Sequence, residues 1–301
     1  MVLLEALAAS PTFFILSVLV LGLLVGSFLN VVIYRVPVML EREWQAQCAQ
    51  LAAGSAAATP DTAPRFNLIV PRSSCPKCQA PISALQNIPV LSYLFLRGRC
   101  ARCRTPISVR YPLIEALTGV LSALVAWKFG YGAAALAALV LTWFLIALTF
   151  IDVDTQLLPD SMTLPLLWLG LATSAFLPTN FEATLPVPLH DSLVGAMAGY
   201  LSLWSIYHLF KLLTGKEGMG YGDFKLLAAI GAFLGWRMLL PTVLGAALVG
   251  AVVGVVILSV KGKGRGVPIA FGPFLSAAGW IMMMWGRELL EGYLGLFGLH
   301  S

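Results

Sequence analysis

The chain has 301 residues, of which 59% are hydrophobic and 11% charged, and its net charge is +5. So few charges cannot cover a water-soluble domain of this length, which leaves a polytopic membrane protein. The positive charge is distributed over loops between apolar runs, which is no footprint of nucleic acid.

The first apolar run, residues 13–33, is long enough to span a bilayer. No basic region precedes it and no small-residue cleavage site is suitably placed, so it reads as a retained helix rather than a signal peptide. A polar region follows, 34–111, in which Ala46–Pro64 has the composition of a linker. Further apolar segments lie near 112–129, 133–151, 161–178, 191–213, 224–236, 238–260 and 268–290. The expected fold is an all-α polytopic membrane protein of about eight transmembrane helices. A small cytoplasmic domain resembling a zinc ribbon lies between helices 1 and 2. The sixth segment, short and Gly-rich, fits a partial or tilted helix. Gly22/Gly26, Gly195/Gly199, Gly231/Gly235 and Gly250/Gly254 have the small-xxx-small spacing of close helix packing, or simply reflect how common Gly is in membrane helices. No internal repeat is apparent.

Basic residues orient the bundle. With eight spans and the N-terminus outside, the basic residues of 34–111, together with Lys211, Lys216, Lys225, Lys261, Lys263 and Arg265, all fall on the cytoplasmic side. Lys128, Arg237 and Arg287 remain for the other face. Lys and Arg mark the cytoplasmic side, so loops 152–160 and 214–223 both open there, from different helices.

Cys75-Pro76-Lys77-Cys78 and Cys100-Ala101-Arg102-Cys103 are C-x-x-C turns with 21 residues between them. This spacing suits four thiolates around one structural zinc, a closed site with no open coordination position. A reducing compartment makes disulfides the weaker explanation. Cys48 has no partner in the pattern.

Two acidic motifs stand at the membrane edge, Asp152 to Asp160 and Gly220-Tyr221-Gly222-Asp223. Carboxylates there are costly and point to function. Asp152 lies at the C-terminal end of its span, where the helix dipole disfavours an anion. Asp154 is expected to face water. Asp160 follows Pro159 and reads as a helix N-cap; Asp223 reads either as an N-cap or as a carboxylate that a Gly-rich turn brings close to a substrate. Two carboxylates that meet can act as base and acid in hydrolysis. A membrane scaffold or transporter with a zinc-ribbon docking loop stays open as an alternative, its acids binding cations or protons.

These motifs together resemble the bifunctional type IV prepilin peptidases, membrane aspartic proteases of the GxGD group. The resemblance runs from Gly26-Ser27-Phe28-Leu29-Asn30 to Arg35, through the cysteine turns, Asn87–Tyr93 and Ser108–Glu115. It continues with Asp152–Asp160, Gly220–Lys225 and Pro268–Pro273. It implies Asp152 and Asp223 as the catalytic pair. It also implies cleavage of the basic leader from type IV prepilins and type II secretion pseudopilins at the cytoplasmic face of the bacterial inner membrane. The new N-terminus would then be methylated with S-adenosylmethionine; a GxGD protease without methyl transfer is the rival enzyme. No G-x-G-x-x-G loop marks a site for that cofactor, so region 34–111 is the natural place for methyl transfer, with Glu115 as a candidate cofactor-binding acid. The expected organisation is therefore 1–33 first transmembrane helix, 34–111 metal-binding and methyl-transfer region, and 112–301 peptidase bundle, with membrane lipid as surroundings.

Overall fold

A computed structural model describes residues 2–53, 65–178, 185–216, 218–261 and 270–296. The chain forms two compact units, residues 1–127 and 128–301.

The first unit opens with helix α1, Val2–Ala9, and helix α2, Pro11–Ala53. Ser10 accepts the Phe13 N–H at 3.3 Å, and Pro11 takes the first helical position, where its missing donor costs nothing. Helix α2 does not end at Ile33. Residues 38–53 are rich in Leu, Glu, Arg, Gln and Ala, strong helix formers, and they carry the helix through Pro37. The first part of the expected linker, 46–53, is therefore helical, and the rest lies outside the described residues. The cysteine loop follows, with helix α3, Leu91–Phe95, and then helix α4, Arg110–Phe129. Gly22 and Gly26 let α2 approach α4: a Cβ on Gly22 would lie 2.6 Å from Ser122 Oγ, and one on Gly26 would lie 2.8 Å from Glu115 Cα.

The second unit contains helices α5, Ala133–Thr155; α6, Asp160–Phe176; α7, Leu189–Thr214; α8, Tyr221–Leu234; α9, Leu239–Lys261; and α10, Gly272–Leu296. Helix α8 is the core. From Leu226 to Leu234 every residue is buried, as expected of a helix that is apolar all round, and it packs on α6, α7 and α10. Gly195 of α7 and Gly231 of α8 meet backbone to backbone, and a Cβ on Gly199 would lie 2.7 Å from the Leu227 carbonyl oxygen. Gly250 by contrast faces only the Phe274 ring at 3.3 Å. Trp280 donates to Thr142 Oγ1 at 3.1 Å, tying α10 to α5.

All eight expected apolar segments are helical where described, but the count of eight spans is not confirmed. Among the described residues five helices are long and apolar enough to cross a membrane: α2, α4, α5, α7 and Trp236–Val256. Helix α8, with 14 residues, is about 21 Å long against a hydrocarbon core of ~30 Å. Helix α6 has 17 residues and Pro165, and α10 carries Arg287, Glu288 and Glu291. Among the described residues there is no strand, only isolated bridges at Ser74–Pro81 and Arg99–Pro106.

Candidate active site and metal centre

The two bridges belong to the cysteine turns, which are copies of one another. In each, the first Cys donates its N–H five residues on and accepts one from four residues on. Cys75 pairs with Ala80 at 3.0 Å and Gln79 at 2.9 Å; Cys100 pairs with Thr105 at 2.9 Å and Arg104 at 3.0 Å. Gln79 (φ 54) and Arg104 (φ 55) both take the left-handed conformation that closes the turn. Both copies read C-x-x-C-x-x-P-I-S. This is an internal repeat, contrary to the expectation of none, and it is legible in the sequence once the two turns are aligned.

The four sulfurs lie within 4.8 Å of one another, and Cys75 Sγ is 3.7 Å from Cys103 Sγ. Four thiolates at the usual zinc–sulfur distance form a tetrahedron with edges of about 3.8 Å, so the set fits a closed four-sulfur metal site. Backbone N–H groups of Cys78 and Lys77 hold the Cys75 thiol below its ordinary value. The Thr105 hydroxyl, 3.2 Å away, and the Thr105 backbone N–H bring Cys103 down to about 6. The Ala80 N–H acts on Cys78 in the same sense, but burial and the neighbouring sulfurs prevail and push that thiol up to about 11. Cys48 stands exposed and apart.

Glu115, 9% exposed, lies on α4 facing the loop. Its Oε2 accepts the Val90 N–H at 2.7 Å, and Ser27 of α2 also hydrogen-bonds to it. Asn30 donates to the Gly26 and Tyr111 carbonyls, both at 3.2 Å. Arg35 donates to the carbonyls of Asn67 and Pro71 at 2.7 and 2.5 Å. Ser27, Val90 and Glu115 thus share one hydrogen-bond cluster in the first unit, while Asn30 and Arg35 each make backbone contacts of their own.

In the second unit, Asp152 and Asp223 are both buried, 5% and 6% exposed, and close enough for Asp152 to act electrostatically on Asp223. Asp152 sits in the last turn of α5. Its Oδ2 accepts the Gly272 N–H at 3.0 Å from the start of α10, and a Cβ on Gly272 would come 2.5 Å from that oxygen. Asp223 is not an N-cap. Helix α8 begins at Tyr221 with Gly220 as its N-cap, so Asp223 is already inside the first turn. Its Oδ1 is buried without a hydrogen-bond partner, an arrangement that structures rarely leave unexplained. Gly222 offers room, as expected of this turn, but the space is taken by Leu158: a Cβ on Gly222 would lie 2.6 Å from the Leu158 Cβ. That close approach draws the Gly-Asp turn onto the 156–159 loop and so onto Asp152.

Asp160 is not an N-cap either. Pro159 occupies that position, and the Asp160 carboxylate receives Lys225 Nζ at 2.6 and 2.7 Å, pinning the start of α6 to that of α8. The Lys225 partnership escaped sequence reasoning, because it joins residues far apart in the chain. Asp154 is exposed, as expected. Pro268 and Ile269 lie outside the described residues.

Residues 20–129 match the model of the bacterial peptidase A24 N-terminal domain, and residues 139–255 that of the type IV leader peptidase family. A prepilin leader peptidase/N-methyltransferase of Stutzerimonas stutzeri is 52% identical over 96% of this chain and 97% of its own length. One of Aeromonas hydrophila is 52% identical over 98% and 99%, and one of Pseudomonas aeruginosa is 50% identical over 99% of both chains. No solved structure matches the chain. With a paired-aspartate site under one family model and a four-cysteine turn under the other, the chain belongs to the type IV leader peptidase family.

Proposed function

We propose that this protein is a bifunctional membrane enzyme that removes the leader from prepilins and methylates the N-terminus it exposes, with Asp152 and Asp223 as its catalytic pair. The buried pair carries this reading: two carboxylates from different helices, one with an oxygen left free of hydrogen bonds, are drawn together by Gly222 and Gly272. One carboxylate takes a proton from water as it attacks the scissile carbonyl carbon, and the other donates a proton to the carbonyl oxygen. As the tetrahedral intermediate collapses, the carbon–nitrogen bond breaks and the departing amine takes up the proton. The Gly272 N–H holds Asp152 in position through this cycle.

Region 34–111, with Glu115, is the methyl-transfer region. S-adenosylmethionine supplies an electrophilic methyl group, and the chain's part is to hold the deprotonated α-amine in line with it. Cys75, Cys78, Cys100 and Cys103 bind one structural zinc that fixes this region. The substrates are prepilins and type II secretion pseudopilins. Their basic leaders stay at the cytoplasmic face of the inner membrane and their apolar segments stay in lipid, which puts the scissile bond at the level of the pair. Nucleic acid has no part in this.

The test is mass spectrometry of a prepilin peptide incubated with purified protein and S-adenosylmethionine. Loss of the leader and a gain of one methyl mass on the new N-terminus are expected. An intact leader returns the protein to the scaffold or transporter reading; cleavage without mass gain makes it a protease alone.

A further inference from the structure

Val90 is the one β-branched residue at positive φ among the described positions. Its φ of 58° and ψ of −49° lie in a region that β-branched residues avoid. The Leu91 N–H reaches back to the Pro89 carbonyl at 2.5 Å, which makes Pro89–Leu91 a γ-turn of the rare, strained kind, near φ ~+75° and ψ ~−65°. Such a conformation persists only where its surroundings over-determine it. Here they do so from two sides. On one side, the buried Ser92 hydroxyl donates to the Leu85 carbonyl at 2.7 Å and accepts the Ile88 N–H at 3.1 Å. On the other, Glu115 takes the Val90 N–H itself, while Ser27 hydrogen-bonds to the same carboxylate. One buried carboxylate thus joins α2, α4 and the turn.

We infer that Glu115 is a positioning residue for methyl transfer: it acts by holding Val90 in the strained turn and does not itself contact the methyl donor. This rests on the assignment of region 34–111 to methyl transfer. The inference departs from a cofactor-binding carboxylate because the contacts of Glu115 are to the chain itself, a backbone N–H and a neighbouring hydroxyl. Strain of this kind collects at functional turns, and the turn lies between the two cysteine copies, held from both sides.

The experiment uses full-length protein, a pre-cleaved peptide and labelled S-adenosylmethionine, with zinc content and leader cleavage as checks on folding. A Gln side chain still accepts the Val90 N–H through its amide oxygen, so Glu115→Gln should keep kcat/KM for methylation within about 3-fold of wild type. Glu115→Ala releases the turn and should lower it by roughly 10- to 100-fold, with cleavage retained. Glycine adopts the turn without strain, so Val90→Gly alone should be near wild type, and Val90→Gly combined with Glu115→Ala should recover most of the loss. Glu115→Gln as impaired as Glu115→Ala, or no recovery in the double variant, places the carboxylate on a reactant and overturns the inference. If Glu115→Ala loses its zinc, Glu115→Gln decides alone. Wild-type protein that cleaves but does not methylate overturns the methyl-transfer assignment instead.

Discussion

Around the cysteines the course of the chain is set by directional polar contacts: paired N–H and carbonyl groups in two copies of one turn, and Glu115 on a backbone N–H. Around Asp223 it is set by close packing: Gly195 against Gly231, Gly222 against Leu158, and a helix buried on every side. The first arrangement depends on chemistry that can be removed, namely the Glu115 carboxylate and four thiols that could hold a metal. The second depends on the absence of a single methyl group at each contact. Damage to the two should therefore differ in kind and in reversibility.

The largest expected effect is at the paired acids. Asp152→Asn or Asp223→Asn should lower leader cleavage by about 10²- to 10⁴-fold or more, because in the proposed mechanism each carboxylate has its own proton to move. The same variants should still methylate a pre-cleaved peptide. If folded variants of the pair cannot do so, the division of labour between the units is wrong.

Removal of the metal comes next. A chelator, or Cys100→Ser, should open residues 65–109 to proteolysis and hydrogen exchange while α7 and α8 stay protected. Structural zinc of this type is worth about 10–16 kcal/mol of apparent binding energy, and its loss is reversed by adding metal. Elemental analysis of protein purified without chelator should find one zinc per chain. Less than about 0.2 per chain, with the thiols intact, counts against the site.

The packing contacts should resolve by partner. Gly195→Ala drives a Cβ into the Gly231 backbone, which cannot yield, and should cost about 1–3 kcal/mol or more. At Gly250 the neighbour is the edge of the Phe274 ring at 3.3 Å, which can turn aside, so Gly250→Ala should cost less than ~1 kcal/mol. Thermal unfolding in detergent compares the two, and equal losses would remove the distinction.

A smaller effect separates the thiols. In metal-free protein at pH 7, Cys103, held at about 6, is mostly thiolate, whereas Cys78, pushed to about 11, is mostly thiol. Brief alkylation with peptide mapping should label Cys103 first. Its lead should fade as the pH drops through about 6, where the thiolate takes up its proton.

Smallest of all is Asp160→Asn. The Asp160–Lys225 pair is partly exposed, 57% on the Asp side, and such pairs contribute ~0–1 kcal/mol. Cleavage by this variant should stay within a few-fold of wild type, about the effect of a modest loss in positioning. A loss matching that of Asp152→Asn would move Asp160 into the catalytic machinery.

Length, hydropathy and motif order alone determined the membrane class, the helical segments, the four-cysteine cluster and the acids to examine. These are local or strictly spaced properties. An apolar run is helical because lipid leaves its backbone no other partner, and a C-x-x-C turn sets two sulfurs side by side wherever it occurs. The repeat C-x-x-C-x-x-P-I-S was equally present in the letters and emerges once the turns are compared. Tertiary structure decided what depends on residues distant in the chain. Asp160 and Asp223 look like helix caps by their neighbours, yet Lys225 claims the first and the second enters the helix after Gly220. The Glu115 carboxylate reaches the Val90 N–H, 25 residues earlier in the chain, a contact that no local pattern announces. Helix α8 is short and Gly-rich in the letters already; the tertiary structure adds that its neighbours enclose it from Leu226 to Leu234.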